Sequence, residues 1–344
     1  MSSSQAFAGP AFSRGSPASR HPFWESVPEI LDDLDRVRDR VMAEAAAAGG
    51  AVGEALGRYV GRPGKMLRPG LVLVGSWAGT AHPDRPAADR IVRIAAAIET
   101  LHLATLVHDD VIDDADQRRG EPSLHSLHGR KQAVLMGDYL LSRCFAMVAE
   151  DTSRETALSI ATATGHLVRG EIGQSYHASE ERFSRRAYLR RIAGKTAMLF
   201  GVSLVSGAAE TKAKRRETAL LARAGYCIGM AFQIIDDLLD LTSVPEALGK
   251  PAAADLRSGI YTLPVIEAVA AEPGIRRHVV PPPATEQAMD ETLAAIGRTD
   301  GLARARQLAG LYTQRAQTAV SRLASDPQRE ALARVARRLL VRSY

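Results

Sequence analysis

Asp109-Asp110-Val111-Ile112-Asp113 and Asp236-Asp237-Leu238-Leu239-Asp240 are two aspartate pentads more than a hundred residues apart, each fused to the end of an apolar helical run. Residues four apart on a helix share a face, so Asp109 and Asp113 project together, as do Asp236 and Asp240. Like charges at that spacing oppose the helix by about 0.2–0.5 kcal/mol per pair. Leu106, Val107, Ile234 and Ile235 beside them add a desolvation cost. Something cationic has to offset both. Aspartate oxygens that fill part of a coordination shell, leaving the rest to phosphate oxygens and water, are what magnesium accepts. One such pentad alone is as easily a solvated acidic patch or a helix cap. Two in comparable apolar settings favour a two-sided magnesium clamp for a diphosphate.

Cations that could serve the same diphosphate chemistry recur along the chain. Gly64-Lys65-Met66-Leu67-Arg68-Pro69 sets Lys65 and Arg68 three residues apart at the start of a helical segment, so one face carries both. Arg118-Arg119-Gly120 follows the first pentad at loop distance, close enough for guanidinium forks to meet phosphate oxygens. His102 lies seven residues before Asp109, two turns back on a similar face. Gly194-Lys195-Thr196 interrupts a helical pattern, Phe232-Gln233 precedes the second pentad by a turn, and Gly249-Lys250-Pro251 leads into Asp255-Leu256-Arg257. Each alone has a bland reading as surface charge or core packing. Their joint order does not.

Helical periodicity recurs over residues 26–47, 50–60, 66–79, 85–110, 131–149, 153–178, 184–208, 212–242, 260–271, 285–298, 302–323 and 326–342, and convincing strands are absent. Breaks fall at Gly61-Arg62-Pro63-Gly64, from Asp116 to Pro122, from Ser243 to Pro251 and at Pro281-Pro282-Pro283. The linkers are too short to separate domains, so the expectation is one all-α domain over residues 23–344. Residues 1–22 lack periodicity and are expected to be a disordered tail. The helices ending in the pentads are apolar on more than one side, as central helices are. If they face each other, the acids line the mouth of a deep central cavity, the usual position for a site in a helical bundle.

Composition narrows the function class. The chain of 344 residues is 46% hydrophobic but only 5% aromatic, which favours helices packed through small and aliphatic side chains. Cys144 and Cys227 sit in apolar stretches and read as core residues in a reducing cytoplasm. No uncharged apolar run reaches the roughly 18 residues of a membrane span, so contact with a membrane is at most peripheral. The net charge of +5 and pI near 9.3 come from dispersed arginines and lysines without an aromatic-basic module, so nucleic acid is not expected as a partner.

The ordered series resembles the trans-type polyprenyl diphosphate synthases, the polyprenyl synthetase family, over roughly residues 30–340. The resemblance is carried by the Gly-Lys-x-x-Arg-Pro turn, the first pentad with Arg-Arg-Gly, Gly137-Asp138, Lys195-Thr196, Phe232-Gln233 with the second pentad, and Gly-Lys-Pro with Asp-Leu-Arg. It implies an isoprenoid synthase bundle, usually a homodimer with a heteromer as the alternative, that condenses isopentenyl diphosphate with an allylic diphosphate. By the same resemblance Asp109, Asp110, Asp113 and Asp236 and, less directly, Asp237 and Asp240 bind magnesium, three ions per site with substrate bound. Arg118, Lys195 and Lys250 hold the allylic diphosphate. Lys65, Arg68, His102 and Arg119 hold that of isopentenyl diphosphate, and Thr196 and Gln233 lie beside the allylic carbons. Met66 departs from the pattern, since many relatives carry a basic residue there. Thr105, Ala104, Leu101 and Ile98 sit on successive turns behind Asp109. Short-chain relatives place bulky rings at the first two, so the small residues here imply a C30–C50 product. A class I terpene cyclase, a geranylgeranyl synthase and a subunit of a heteromeric synthase are the alternatives.

Overall fold

The computed structural model describes residues 21–62, 64–118, 120–176, 181–242 and 253–340. Helices occupy every stretch with helical periodicity. They are α1 (Leu31–Ala46), α2 (Gly50–Val60), α3 (Leu67–Ser76), α4 (Asp89–Ile112), the short α5 (Leu124–His128), α6 (Arg130–Asp151), α7 (Arg154–Tyr176) and α8 (Arg185–Ile192). After a π-helical turn over Ala193–Ala197 come α9 (Met198–Glu210), α10 (Arg215–Thr242), the short α11 (Ala254–Arg257), α12 (Leu263–Ala271), the short α13 (Arg276–Val279), α14 (Glu286–Gly297), α15 (Gly301–Val320) and α16 (Asp326–Leu340). The strand pairing among the described residues is one two-residue ladder, β1 (Gln117–Arg118) against β2 (Glu121–Pro122).

The bundle is built outward from α4. Its buried positions run almost round the helix, from Ile91 through Ala95-Ala96-Ala97 to Val107, so it needs neighbours on every side. They are α6, α3, α1 and α9. From α3 the packing passes to α9, then α10, then α15. Small residues set these approaches. A Cβ on Gly207 would lie 2.0 Å from the Val72 carbonyl oxygen, and one on Gly225 would lie 2.7 Å from that of Phe200. Backbone-to-backbone contact is how a chain so poor in aromatics reaches interior packing density. Three helical stretches, Asp89–Ile112, Arg185–Glu210 and Arg215–Thr242, are long and apolar enough to cross a membrane by length and composition. Here 72%, 72% and 56% of their apolar windows are buried within the protein.

Among the described residues the first to pack is His21, whose ring meets Asp35 at 3.1 Å. Trp24 is fully buried, donates its indole N–H to the Lys65 carbonyl at 2.8 Å, and occupies the space a side chain on Gly70 would need. The N-terminal segment therefore braces the Gly64–Leu67 turn. Of the expected tail over residues 1–22, residues 1–20 lie outside the described residues, while His21 is buried and Pro22 opens a 3-10 turn. At the other end, α16 is pinned to α3 by the buried Gln328 amide, which donates to the Val74 carbonyl at 2.8 Å.

These contacts predict a contrast between two glycines. Gly207→Ala drives a methyl into a backbone atom that cannot yield, and is expected to cost about 1–3 kcal/mol. Gly57→Ala, with open space within 4 Å, should gain about 0.5–1 kcal/mol from helix propensity. Chemical denaturation of both variants checks the pair.

Candidate active site

The first pentad closes α4 and the second closes α10, so both acid groups lie at C-terminal helix ends, where the backbone dipole is already negative. Uncompensated carboxylates there would be doubly disfavoured. Asp109 and Asp110 are buried, whereas Asp113, the C-cap, is exposed. Arg118 donates through Nε to Asp110 Oδ1 at 2.6 Å. Lys195 Nζ sits 3.2 Å from Asp109 Oδ2 and 2.9 Å from Glu171 Oε1 on α7. Burial pushes Asp110 above the usual carboxylate range against the pull of Arg118. Asp113 is also raised, by desolvation opposed by Lys195. The Lys195 ammonium is raised despite its burial, because Asp109 and Glu171 favour its charge.

Lys195 reaches these acids because it belongs to the π turn. A π turn inserts one residue into a helix and re-aims the side chains on it. Lys195 is directed to the first pentad and Thr196, next in sequence, to the second. Thr196 Oγ1 donates to Gln233 Oε1 at 2.7 Å, and Gln233 Nε2 donates to Asp237 Oδ1 at 2.9 Å. Tyr188 on α8 donates its hydroxyl to Asp237 Oδ2 at 2.6 Å. One dipeptide thus links the two acidic helix ends.

Both oxygens of Asp237 are engaged in this buried chain, and desolvation raises its carboxyl to about 7. Burial and the facing carboxylate push the Tyr188 phenol well above its ordinary range. Asp237 was expected among the metal ligands. Its neighbours at i−1 and i+3 are the ones that face outward: Asp236 is exposed and Asp240 half-buried. Asp240 also accepts from the Asp255 backbone N–H at 3.4 Å. The reason is helical geometry, since the middle of three acids at i, i+1 and i+4 points about 100° away from the first and about 60° from the third.

The basic half is drawn together by a residue that the spacing argument treated only as part of a break. Arg62 reaches the β1–β2 hairpin, with Nε 2.8 Å from Glu121 Oε2 and a guanidinium N–H donated to the Pro122 carbonyl at 2.9 Å. The turn that carries Lys65 and Arg68 is thereby tied to the hairpin that carries Arg118. Met66 between them adopts the left-handed conformation at φ 47° and caps α3, a conformation uncommon for a residue with a side chain. The Arg68 guanidinium lies over the Phe200 ring at 5.4 Å, and His102 is half-buried on α4. Arg119 and Lys250 lie outside the described residues.

The structure also tests whether the acids suit a divalent metal. Asp110 Oδ2 is buried with no hydrogen-bond partner among the described residues, an oxygen left for a cation. Among the described residues no group of three His, Cys, Asp or Glu side chains is placed to hold a metal ion by itself. Magnesium at a diphosphate takes one or two carboxylates and completes its shell from phosphate and water, so this open, all-oxygen donor set fits it. Lys195 and Arg118 meanwhile supply the positive charge.

Comparison with known proteins agrees with this geometry. The polyprenyl synthetase family model matches residues 51–296. The chain belongs to the polyprenyl synthetase family. Heptaprenyl diphosphate synthase component 2 of Geobacillus stearothermophilus is 38% identical over 256 residues, 74% of this chain and 78% of the relative. Solanesyl diphosphate synthase 3 of Arabidopsis thaliana is 37% identical over 230 residues, 67% of this chain and 54% of the relative. Among solved structures, the geranylgeranyl pyrophosphate synthase of Lactobacillus brevis superposes with TM-score 0.84 at 31% identity, covering 94% of this chain and 100% of that one. The Caulobacter crescentus polyprenyl synthase, solved with calcium and isoprenyl diphosphate, gives 0.81 at 28% identity, covering 96% and 99%. The chain is a prenyl diphosphate synthase with the all-α fold of its relatives.

In this synthase the residues behind Asp109 differ in exposure. Thr105 is half-buried and donates to the His102 carbonyl at 2.7 Å, while Ala104, Leu101 and Ile98 are closed to solvent. Glu171 and Tyr188 were not singled out from sequence. Glu171 had no pattern to mark it, but Tyr188 stands seven residues before Lys195, a spacing of two helical turns that would have flagged it. Tyr188→Phe leaves one oxygen of a buried carboxylate unpaired and is expected to cost about 1–3 kcal/mol, read as a lower denaturation midpoint.

Proposed function

We propose that this synthase condenses isopentenyl diphosphate with an allylic diphosphate, with magnesium, to an all-trans polyprenyl diphosphate of C30–C50. The observation that carries the reading is the Lys195-Thr196 dipeptide, which contacts Asp109 on one side and, through Gln233, Asp237 on the other. Two acid groups joined through one turn suit the grip of a single diphosphate.

Cleavage of the allylic C–O bond leaves a delocalised carbocation and a highly charged diphosphate. Magnesium, when bound, neutralises the charge that grows on the leaving oxygens. Asp109, Asp110 and Asp113 would hold it from α4, and Asp236 and Asp240 from α10, with Asp237 bracing the helix end from beneath. Arg118, Lys195 and Lys250 bind the diphosphate; Arg118 and Lys195 exchange their present carboxylate partners for phosphate oxygens. Losing one preorganised partner of this kind costs about 3–4 kcal/mol of barrier. Thr196 and Gln233 orient oxygen dipoles beside the allylic carbons. Lys65, Arg68, His102 and Arg119 hold the second substrate by its own diphosphate, so that its double bond attacks the cation. The released diphosphate accepts the proton, and apolar walls exclude water that would quench the cation.

Chain length is read from Thr105 and Ala104, too small to block growth one turn below the acids, and the heptaprenyl and solanesyl relatives support a long product. The Caulobacter neighbour with calcium and isoprenyl diphosphate supports divalent-cation dependence. A homodimer in the cytoplasm is the proposed working state, with Cys144 and Cys227 buried and unpaired. The relative named as component 2 makes a heteromer the competing arrangement.

Mass spectrometry of products formed from isopentenyl diphosphate and a series of allylic primers tests the proposal. Products of six to ten isoprene units are expected, with none when magnesium is chelated, and a cyclic hydrocarbon from the allylic diphosphate alone would refute elongation. Asp109→Ala or Asp236→Ala should abolish turnover with helical circular dichroism nearly unchanged. Ala104→Phe or Thr105→Phe should shorten the product, and an unaltered distribution would count against this wall.

A further inference from the structure

A second basic site lies on the outer side of the π turn. From Arg182 to Arg191 the chain carries five arginines and no acid. Helix α8 aims Arg185, Arg186 and Arg190 around an open hollow of about 430 Å³ whose floor is Leu189, Ala193 and Tyr226. Arg186 and Arg190 are exposed and make no ion pair among the described residues, while Arg185 is paired with Glu267 at 3.3 Å. Helix α15 continues the surface. Arg315 lies over the Tyr312 ring at 5.6 Å, and Leu311, one turn before Arg315, is 45% exposed. On the far side of α8, Arg276 lies over Phe183, which stacks on Tyr261. The basic cluster is already local in the sequence, and folding adds Arg315 of α15 to it.

Arginine heads around an apolar, tyrosine-bearing floor form an amphipathic surface. The stems and rings can sit at the headgroup boundary while the guanidinium groups meet phosphates. A solitary small anion would need one focused pocket. The spread of unpaired charge over α8 and its continuation on α15 instead match a sheet of negative charge. We infer that this face docks on a bilayer that contains anionic phospholipid. Docking there sets the turn that carries Lys195 against the lipid phase, the phase that suits an apolar chain leaving the synthase. The inference stands whether the product is long or short.

Sedimentation of the purified full chain with liposomes tests it. Vesicles of phosphatidylcholine with phosphatidylglycerol should carry the protein down, and the bound fraction should fall as salt rises. Arg186→Gln with Arg190→Gln should weaken partitioning roughly 30-fold, about fivefold for each arginine removed near an anionic surface. The matching pair of Arg→Lys changes should retain most of it. Both variants should keep wild-type circular dichroism and wild-type turnover of a short soluble primer. The inference is overturned if the glutamine variant partitions like wild type, if neutral phosphatidylcholine vesicles bind equally well, or if inorganic diphosphate or RNA captures the site and vesicles do not.

Discussion

Negative charge at the ends of two apolar helices is the constraint on which the rest of this structure depends. Each pentad stands where the helix dipole already disfavours an acid, and in the first of them two carboxylates are buried. Folding is possible because other elements bring cations and donors to them. Arg118 comes from the β1–β2 hairpin, Lys195 from the π turn and the Tyr188 hydroxyl from α8. The same carboxylates are held near cations, and one oxygen of Asp110 stays without a hydrogen-bond partner among the described residues.

That arrangement relies on helices that approach one another more closely than bulky side chains allow. Gly207 and Gly75 seat α9 on α3, and Gly225 and Gly229 seat α10 on α9. The π turn that heads α9 is thereby brought alongside both α7 and α10. A one-residue insertion in that helix then splits two adjacent side chains between the two pentads. Sparse aromatics and abundant small residues, a compositional trait, are thus connected to the geometry of the site through packing distance.

Much of this was legible beforehand, and for identifiable reasons. Long apolar helices announce themselves by periodicity, so α4 and α10 and their acidic ends could be read directly. Lys195-Thr196 stood out as an interruption of a helical pattern, and the interruption is the π turn itself. Asp237 was harder. Adjacent aspartates look equivalent in a list, but a rotation of 100° separates the exposed Asp236 from the buried Asp237. Arg62 and Trp24 act on the site through neighbours remote in sequence, His21 and Asp35 likewise anchor the entry to the bundle, and no local pattern marks such pairs.

The sequence by itself determined which residues carry charge, at what helical spacing, and that the chain is an all-helical bundle of this family, because short-range periodicity and motif order are local properties. Tertiary structure decided which charges meet. It chose Lys195 rather than another cation for Asp109, directed both oxygens of Asp237 inward, and tied the Lys65 turn to the Arg118 hairpin through Arg62. Those choices depend on distances between elements far apart in the chain, and the close approach of helix backbones sets them.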